Sequence, residues 1–353
     1  SGGACESNGI GKTTGHCGMS RKVSNFTVKA FVLIFSTAIG VVCLELGARI
    51  IWKQKYNEWL EKQLHGFDYV DYDRSIIVPK PNTIKTVAQY RDDLRDTGKS
   101  IGLKNFEESI QKDAPPGSTV VFSINRFGFK GPEIDIPKPK DVFRVLTLGN
   151  SCTWGPANDY FTYPRAMERE FRERLGGEAN IEVVNGGVLG YNFERVLKRI
   201  DEYLAAEPDL VTIYLGWNRT ISRADPAKNQ SMYRQSALYR MYYHFFVNQE
   251  GSSGNVEFQS EGFYDPEDAG MAAYLDYSFD HDIADLRELV DLLRANLPET
   301  EVVIVTLAGL FDVRVPPTAR ALELAYPITS TRNLYAYPLL TRTFNSALRS
   351  FAA

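Results

Sequence analysis

Residues 143–155 read FRVLTLGNSCTWG, an apolar run that ends in Gly149, Asn150 and Ser151 and reaches a second glycine four residues after the serine. A serine so placed either caps a short helix, accepting hydrogen bonds from its first amides, or displays its hydroxyl as a nucleophile. Nucleophilic serine chemistry needs a base at hand, because a hydroxyl at its ordinary pKa attacks poorly until a histidine takes its proton. Four histidines are present. His16 lies in a Gly/Ser/Thr-rich head, and His65 reads as an exposed polar residue. His244 falls in the aromatic stretch MYRQSALYRMYYHFF and reads as packed or interfacial, and His281, between Asp280 and Asp282, reads as part of a capped, solvated helix start. None of the four ends an apolar run.

Two other chemistries are weighed and set aside. ESNGIGKTT (6–14) comes close to the phosphate-binding loop GxNGxGKTT, whose backbone amides cradle phosphates. Glu6 replaces its first glycine, and neither SGGAC before it nor GHCGMSRK after it supplies the strand and helix such a loop requires. Cys5, Cys17, Cys43 and Cys152 form no CxxC pair and no Cys/His cluster with zinc spacing, so neither a disulfide framework nor a metal site is expected, and no cofactor is called for. A net charge of −4 gives no reason to expect nucleic acid as a partner.

The elements that must position Ser151 follow from hydrophobic periodicity. FRVLTLG (143–149), IEVVNGG (181–187), PDLVTIYLG (208–216) and EVVIVTL (301–307) read as buried strands. FTYPRAMEREFRERLG (161–176), NFERVLKRIDEYLAA (192–206, capped by Asn192) and DIADLRELVDLLRANL (282–297) read as helices between them. Strand, helix, strand at this spacing implies parallel pairing with right-handed crossovers, and hence a sheet covered on both faces. Ligands bind open sheets of this kind at the carboxyl ends of the strands. Three polar or glycine-rich turns fall there: Gly149-Asn150-Ser151, Asn185-Gly186-Gly187 and Gly216-Trp217-Asn218. Taken singly, each has a plainer reading as a cap or a turn.

Those three turns carry a resemblance. GNSCTWG resembles the first block, GDSxTxG, of the SGNH (GDSL-type) hydrolases, VVNGGVLGYN resembles their second block, and YLGWN resembles the GxN of their third. The likeness runs over about residues 123–353 and includes FSINRFGFKGPE, a stretch that commonly precedes block one in membrane-anchored members. It implies a three-layer α/β/α sandwich of flavodoxin-like form around a central parallel sheet. It also implies Ser151 as the nucleophile of an ester hydrolase, with an oxyanion hole built from the Ser151 amide, the Gly187 amide and the Asn218 side chain. The implied substrate is an ester, such as an O-acetyl ester, of a carbohydrate or cell-envelope component. An O-acyltransferase and a noncatalytic envelope-binding or scaffold protein are the alternatives.

Two residues depart from the pattern. Asn150 replaces the usual aspartate, keeping its size and an acceptor while losing the charge, and Arg219 stands where many members have aspartate, making the pocket mouth more cationic. The family's base is the histidine of a DxxH block after the last strand, and the 353 residues contain no DxxH. PLLTRTFNSALRSFAA (338–353) reads as the helix before that strand, so the block is expected beyond Ala353 and this stretch alone is expected to be nearly inert.

The N-terminal third is organised differently. Met19 reads as the biological start, with residues 1–18 upstream or added and 19–29 a short basic tail. Ala30–Ala48 is apolar apart from Glu45, which stands four residues before Arg49, and about twenty such residues rising 1.5 Å each cross a hydrocarbon core about 30 Å thick. The expectation is one uncleaved transmembrane anchor in contact with lipid, with Trp52 and Tyr56 at headgroup level. Basic residues flank it on both sides, so charge does not set its orientation; only the export of family relatives places the domain outside the cytoplasm. Residues 49–122 read as a stalk or connector, 49–64 as a possible charged continuation of the helix and IIVPKPNTI (76–84) as extended. An insertion at about 220–275 reads as a lid, a partner surface or ordinary core.

Overall fold

A computed structural model describes residues 25–86, 89, 120–155, 158–176, 180–218, 235–243, 246, 278–309 and 336–353. The head with its phosphate-loop likeness, His16, Arg219, His244 and most of the 220–275 insertion lie outside the described residues.

The chain opens with α1 (Asn25–Glu61), 37 residues and so about 55 Å long. Its apolar window is exposed throughout, and the helix is long and apolar enough to cross a membrane. Two antiparallel pairs follow: β1 (Asp68–Asp71) with β2 (Ile76–Pro79), and β3 (Thr83–Thr86) with β4 (Val120–Ile124). Then come β5 (Phe143–Gly149), the single-turn α2 (Ser151–Trp154), a 3₁₀ turn at Asp159–Phe161 and α3 (Tyr163–Leu175). They are followed by β6 (Ile181–Asn185), α4 (Phe193–Leu197), α5 (Ile200–Ala205) and β7 (Leu210–Tyr214). After α6 (Ala237–Tyr242), the described elements end with α7 (Asp280–Asn296), β8 (Glu301–Ile304) and α8 (Ala336–Ala352).

Four strands form the parallel sheet, in the order β6-β5-β7-β8. Because side chains alternate along a strand, β5 sends Val145 to one face and Leu146 and Leu148 to the other. Val145 joins Ile181, Val183, Met167 and Phe171 under α3. Leu146 and Leu148 join Val184, Val211 and Ile213 in the main core, which α4, α5, α7 and α8 complete. In α7 the buried Leu286, Leu289, Val290 and Leu293 follow the three- and four-residue spacing of one helix face. In α8, Leu340, Phe344 and Leu348 do the same. The amide of Asn345 makes a reciprocal pair with the backbone of Leu307, accepting from its N–H and donating to its carbonyl at 2.8 Å each, which fixes α8 to the end of the β8 segment. The fold is therefore the expected three-layer α/β/α arrangement with a long apolar helix in front.

Two expectations are corrected. Part of the stretch read as a stalk, residues 67–79, is packed into the domain: Ile76 and Val78 belong to the main core, and the ring of Phe67 stacks on that of Trp154 at 5.5 Å. The helix expected over 192–206 is broken into α4 and α5 by a tighter turn in which the Arg199 amide donates to Val196 O, and the buried Arg199 guanidinium lies 5.3 Å from the Tyr203 ring. Trp52 and Tyr56, read as headgroup-level residues, each contact an arginine of the folded domain. Trp52 lies 5.5 Å from the Arg240 guanidinium, and the Tyr56 hydroxyl accepts from Arg195 at 2.8 Å. The helical continuation through residue 61 and the Glu45–Arg49 pair, at 3.0 Å, are as read.

Candidate active site

The turn after β5 leaves room for only one kind of residue at its first position. A Cβ on Gly149 would sit 1.7 Å from Thr153 Oγ1 and 2.9 Å from Tyr214 O, so the backbone passes where no side chain fits. Asn150 is fully buried and caps α2: its Oδ1 accepts from the Cys152 amide at 3.0 Å, and its carbonyl accepts from the Thr153 and Trp154 amides. Ser151, the first residue of α2, is exposed, whereas Thr153 and Trp154 are buried. The capping role thus falls to Asn150 and leaves the serine hydroxyl at the surface. Asn150 Nδ2 has no hydrogen-bond partner among the described residues.

The second turn is tied directly to the first. Gly186 N–H donates to Thr147 O at 2.9 Å and Val188 N–H to Gly149 O at 3.1 Å, extending the β5–β6 pairing into the loop. A Cβ on Gly187 would lie 2.5 Å from the Trp154 amide nitrogen and 2.7 Å from Thr153 Cβ, so the loop presses flat against α2. Asn185, 2 % exposed, reaches both ways: Oδ1 accepts the Gly187 N–H at 3.0 Å, and Nδ2 donates to Thr153 O at 2.9 Å. In the third turn Gly216 has φ +125°, and its missing Cβ leaves space for Phe344. Asn218 Nδ2 donates to Tyr191 O at 2.8 Å, joining the third turn to the second.

The three turns therefore meet at one edge of the sheet, with Ser151 on the first, Gly187 on the second and Asn218 on the third. Two of the donors expected to face an oxyanion have internal acceptors here. The Gly187 amide is held by Asn185, and one N–H of the Asn218 amide by Tyr191.

Sequence reasoning assigned nothing to the residues beneath α2. Lys130, 3 % exposed, donates from Nζ to Trp154 O at 2.9 Å and lies 5.0 Å from the Trp154 ring centroid. Asp159 Oδ1 is 3.7 Å away, while its Oδ2 accepts from the Ser123 amide and hydroxyl. Burial lowers the Lys130 ammonium to about 8 against the opposing pull of Asp159, and burial raises the Asp159 carboxyl. The one available signal was Lys130 within FGFKGPE, a stretch recognised without a role for its lysine.

Of the described histidines, neither stands at the end of a parallel strand. His65 is not the exposed residue expected: its ring stacks on Phe67 at 5.5 Å, and Nδ1 lies 3.1 Å from Asp68 Oδ2. His281 lies in the first turn of α7, 3.6 Å from Asp285 Oδ2, and Phe279 rather than a polar side chain occupies the cap.

The profile of the GDSL-like lipase/acylhydrolase family matches residues 147–353, more than half of the chain. The chain belongs to this family. A comparison with curated proteins finds no match. Among solved structures, the chain is similar to a GDSL-like lipase candidate from Parabacteroides merdae (15% identity, 63% of this chain and 78% of that one, TM-score 0.31). It is also similar to an acetyl xylan esterase from Geobacillus stearothermophilus (17%, 58% and 94%, TM-score 0.26) and to AlinE4, an SGNH-hydrolase family esterase (16%, 61% and 100%, TM-score 0.25). For a GDSL-type hydrolase the block-one serine is the residue of interest, and here it is exposed, as is Cys152 beside it, between the buried Asn150 and Thr153.

Two outcomes are expected. Gly187→Ala should destabilise the domain by about 1–3 kcal/mol in urea unfolding, because the new methyl collides with backbone that cannot yield; an unchanged midpoint would contradict the close packing. For Lys130, the folded-state value lies below the ordinary 10.5, so the unfolded chain binds more protons between about 8 and 10.5. Stability contributed by this group therefore rises with pH across that window and is flat below it. Unfolding measured against Lys130→Met should show wild type gaining on the variant as pH climbs through the window, and a constant difference would refute the shift.

Proposed function

We propose that the protein is a membrane-anchored serine esterase in which Ser151 is the nucleophile. The observation that carries this reading is the division of labour in the block-one turn, where Asn150 caps α2 from a buried position and Ser151 is left exposed at the carboxyl edge of the sheet. Ser151 Oγ attacks the acyl carbon of an ester, its proton passing to a base, and the carbonyl oxygen becomes an oxyanion. The Ser151 amide, the Gly187 amide and the Asn218 side chain supply donors to that oxyanion. Gly187 does so by exchanging Asn185 Oδ1 for the substrate oxygen, while Asn185 Nδ2 keeps its bond to Thr153 O and holds α2 in place. Collapse of the intermediate expels the alcohol, and water releases the acyl group from Ser151.

The proton acceptor is assigned to the histidine of a DxxH block, which the 353 residues do not contain. The substrate is assigned to acyl esters of carbohydrate or envelope components, in keeping with the acylhydrolase family. The apolar stretch of α1 supports the membrane anchor; the domain is assigned to the extracytoplasmic side by likeness to exported family members alone.

A second reading, a noncatalytic binding or scaffold protein, is favoured by the internal acceptors of the Gly187 and Asn218 donors. Activity-based labelling separates the two. With the DxxH segment present, a fluorophosphonate should label wild type but not Ser151→Ala, and Asn218→Ala should lower esterase kcat/KM about 10²- to 10³-fold. Without that segment labelling should slow about 10²- to 10⁴-fold, the usual contribution of a general base. Labelling that survives Ser151→Ala, or no labelling of the DxxH-bearing protein, would sink the esterase reading.

A further inference from the structure

Glu45 is the one charge in the apolar stretch Ala30–Ala48, and a carboxylate near the end of a hydrocarbon span is costly unless its oxygens are fully engaged. Here the donors come largely from 190 residues further along the chain. Glu45 Oε1 accepts from the Ala237 amide at 2.8 Å and from Arg49 Nε at 3.0 Å; Oε2 accepts from Ser236 Oγ at 2.8 Å and the Leu238 amide at 3.2 Å. Arg49 Nη2 donates in turn to Gln235 O at 3.2 Å, and the Arg240 guanidinium lies over the Trp52 ring. Glu45, Arg49 and Trp52 follow the i, i+4, i+7 spacing of one helix face, so residues 235–240 dock along about 10 Å of α1 at the end of its apolar stretch.

Apart from Gln235, what this docking leaves exposed is apolar. Ala237 and Tyr243 are buried, but Leu238, Tyr242 and Phe246 are 41%, 54% and 73% exposed, and the rings of Tyr239, Tyr242 and Phe246 form a chain at 6.3 and 5.6 Å. Leu44, Leu46 and Ile50 of α1 are exposed at the same level along its axis. Aromatic and aliphatic side chains beside the end of a membrane span suit the headgroup–acyl boundary, where amphipathic segments lie in the plane of the interface.

We propose that the segment around α6 is a second membrane contact, fastened by Glu45 to the side of α1 and immersing Leu238, Tyr242 and Phe246 in the interfacial zone of the bilayer. The proposal rests on the reading of α1 as a membrane anchor. It gives the domain two lines of attachment in place of a free tether, and it gives a charge in the anchor a positioning role.

Nitroxide labelling in phosphatidylcholine vesicles tests it. Single cysteines replace Leu238, Tyr242 or Phe246 in a chain whose Cys5, Cys17, Cys43 and Cys152 are replaced, with Ile39→Cys marking the span and Leu175→Cys the aqueous domain surface. Relaxation by oxygen should exceed relaxation by a water-soluble nickel chelate at 238, 242 and 246, with values between those at 39 and 175. Chelate-dominated relaxation at these three sites with oxygen-dominated relaxation at 39 overturns this proposal alone, whereas chelate-dominated relaxation at 39 overturns the anchor reading as well. Labels shielded from both reagents would mean a protein cover in place of lipid and would also overturn it. Adding Glu45→Ala should mobilise the labels at 242 and 246 and raise their chelate access; unchanged spectra would refute the fastening role of Glu45.

Discussion

One buried side chain spaces the candidate site. Asn185 ends β6 and bonds in two directions, accepting from the Gly187 amide and donating to Thr153 O. Each such bond is worth only about 0.5–1.5 kcal/mol net, but removing the amide would strand buried backbone groups at about 1–3 kcal/mol each. The more important effect is geometric. The bond to Thr153 holds α2 at a fixed distance from the β6 loop, and that distance is so short that only glycine fits at 187. With the carbonyl end of α2 fixed by Asn185 and Lys130, and its start capped by Asn150, Ser151 and the neighbouring Cys152 are left facing outward.

Two of the buried cations among the described residues, Lys130 and Arg144, mark where distant segments meet. Lys130 joins the loop after β4 to the end of α2. Arg144 on β5 is fully buried and donates to Glu182, Ala206 O and Asp135 O, joining two strands to the loops around them. Glu45, only partly buried, joins the apolar helix to the segment around α6. An ammonium or guanidinium taken from water without such partners would cost several kcal/mol, so Lys130 and Arg144 restrict which arrangements of the loops are tolerable more than they add stability.

The parallel sheet was legible because its strands are short β-branched runs bounded by turn residues; FRVLTLG coincides with β5 residue for residue, and the three polar turns do fall at strand ends. The resemblance rests on those same turns. What escaped is of another kind. The packing of Ile76 and Val78, the stacking of Phe67 on Trp154 and the burial of Lys130 depend on contacts between segments far apart in sequence. Their residues are not periodic, and two prolines and a lysine-rich context made the region look solvated. The break between α4 and α5 was hidden because residues 192–206 carry an uninterrupted helical pattern. The engagement of Gly187 by Asn185 was hidden because a motif names residues and not their hydrogen bonds.

The central claim is that the Gly187 amide leaves Asn185 for an oxyanion while α2 stays where Asn185 and Lys130 hold it. A crystal structure of the phosphonylated Ser151 adduct tests this most directly. The account predicts a phosphoryl oxygen within hydrogen-bonding distance of Gly187 N and Asn218 Nδ2, the Asn185 Oδ1 bond to Gly187 broken and the Asn185 Nδ2 bond to Thr153 O intact. An adduct whose phosphoryl oxygen faces solvent, with Gly187 N–H still on Asn185, would contradict it.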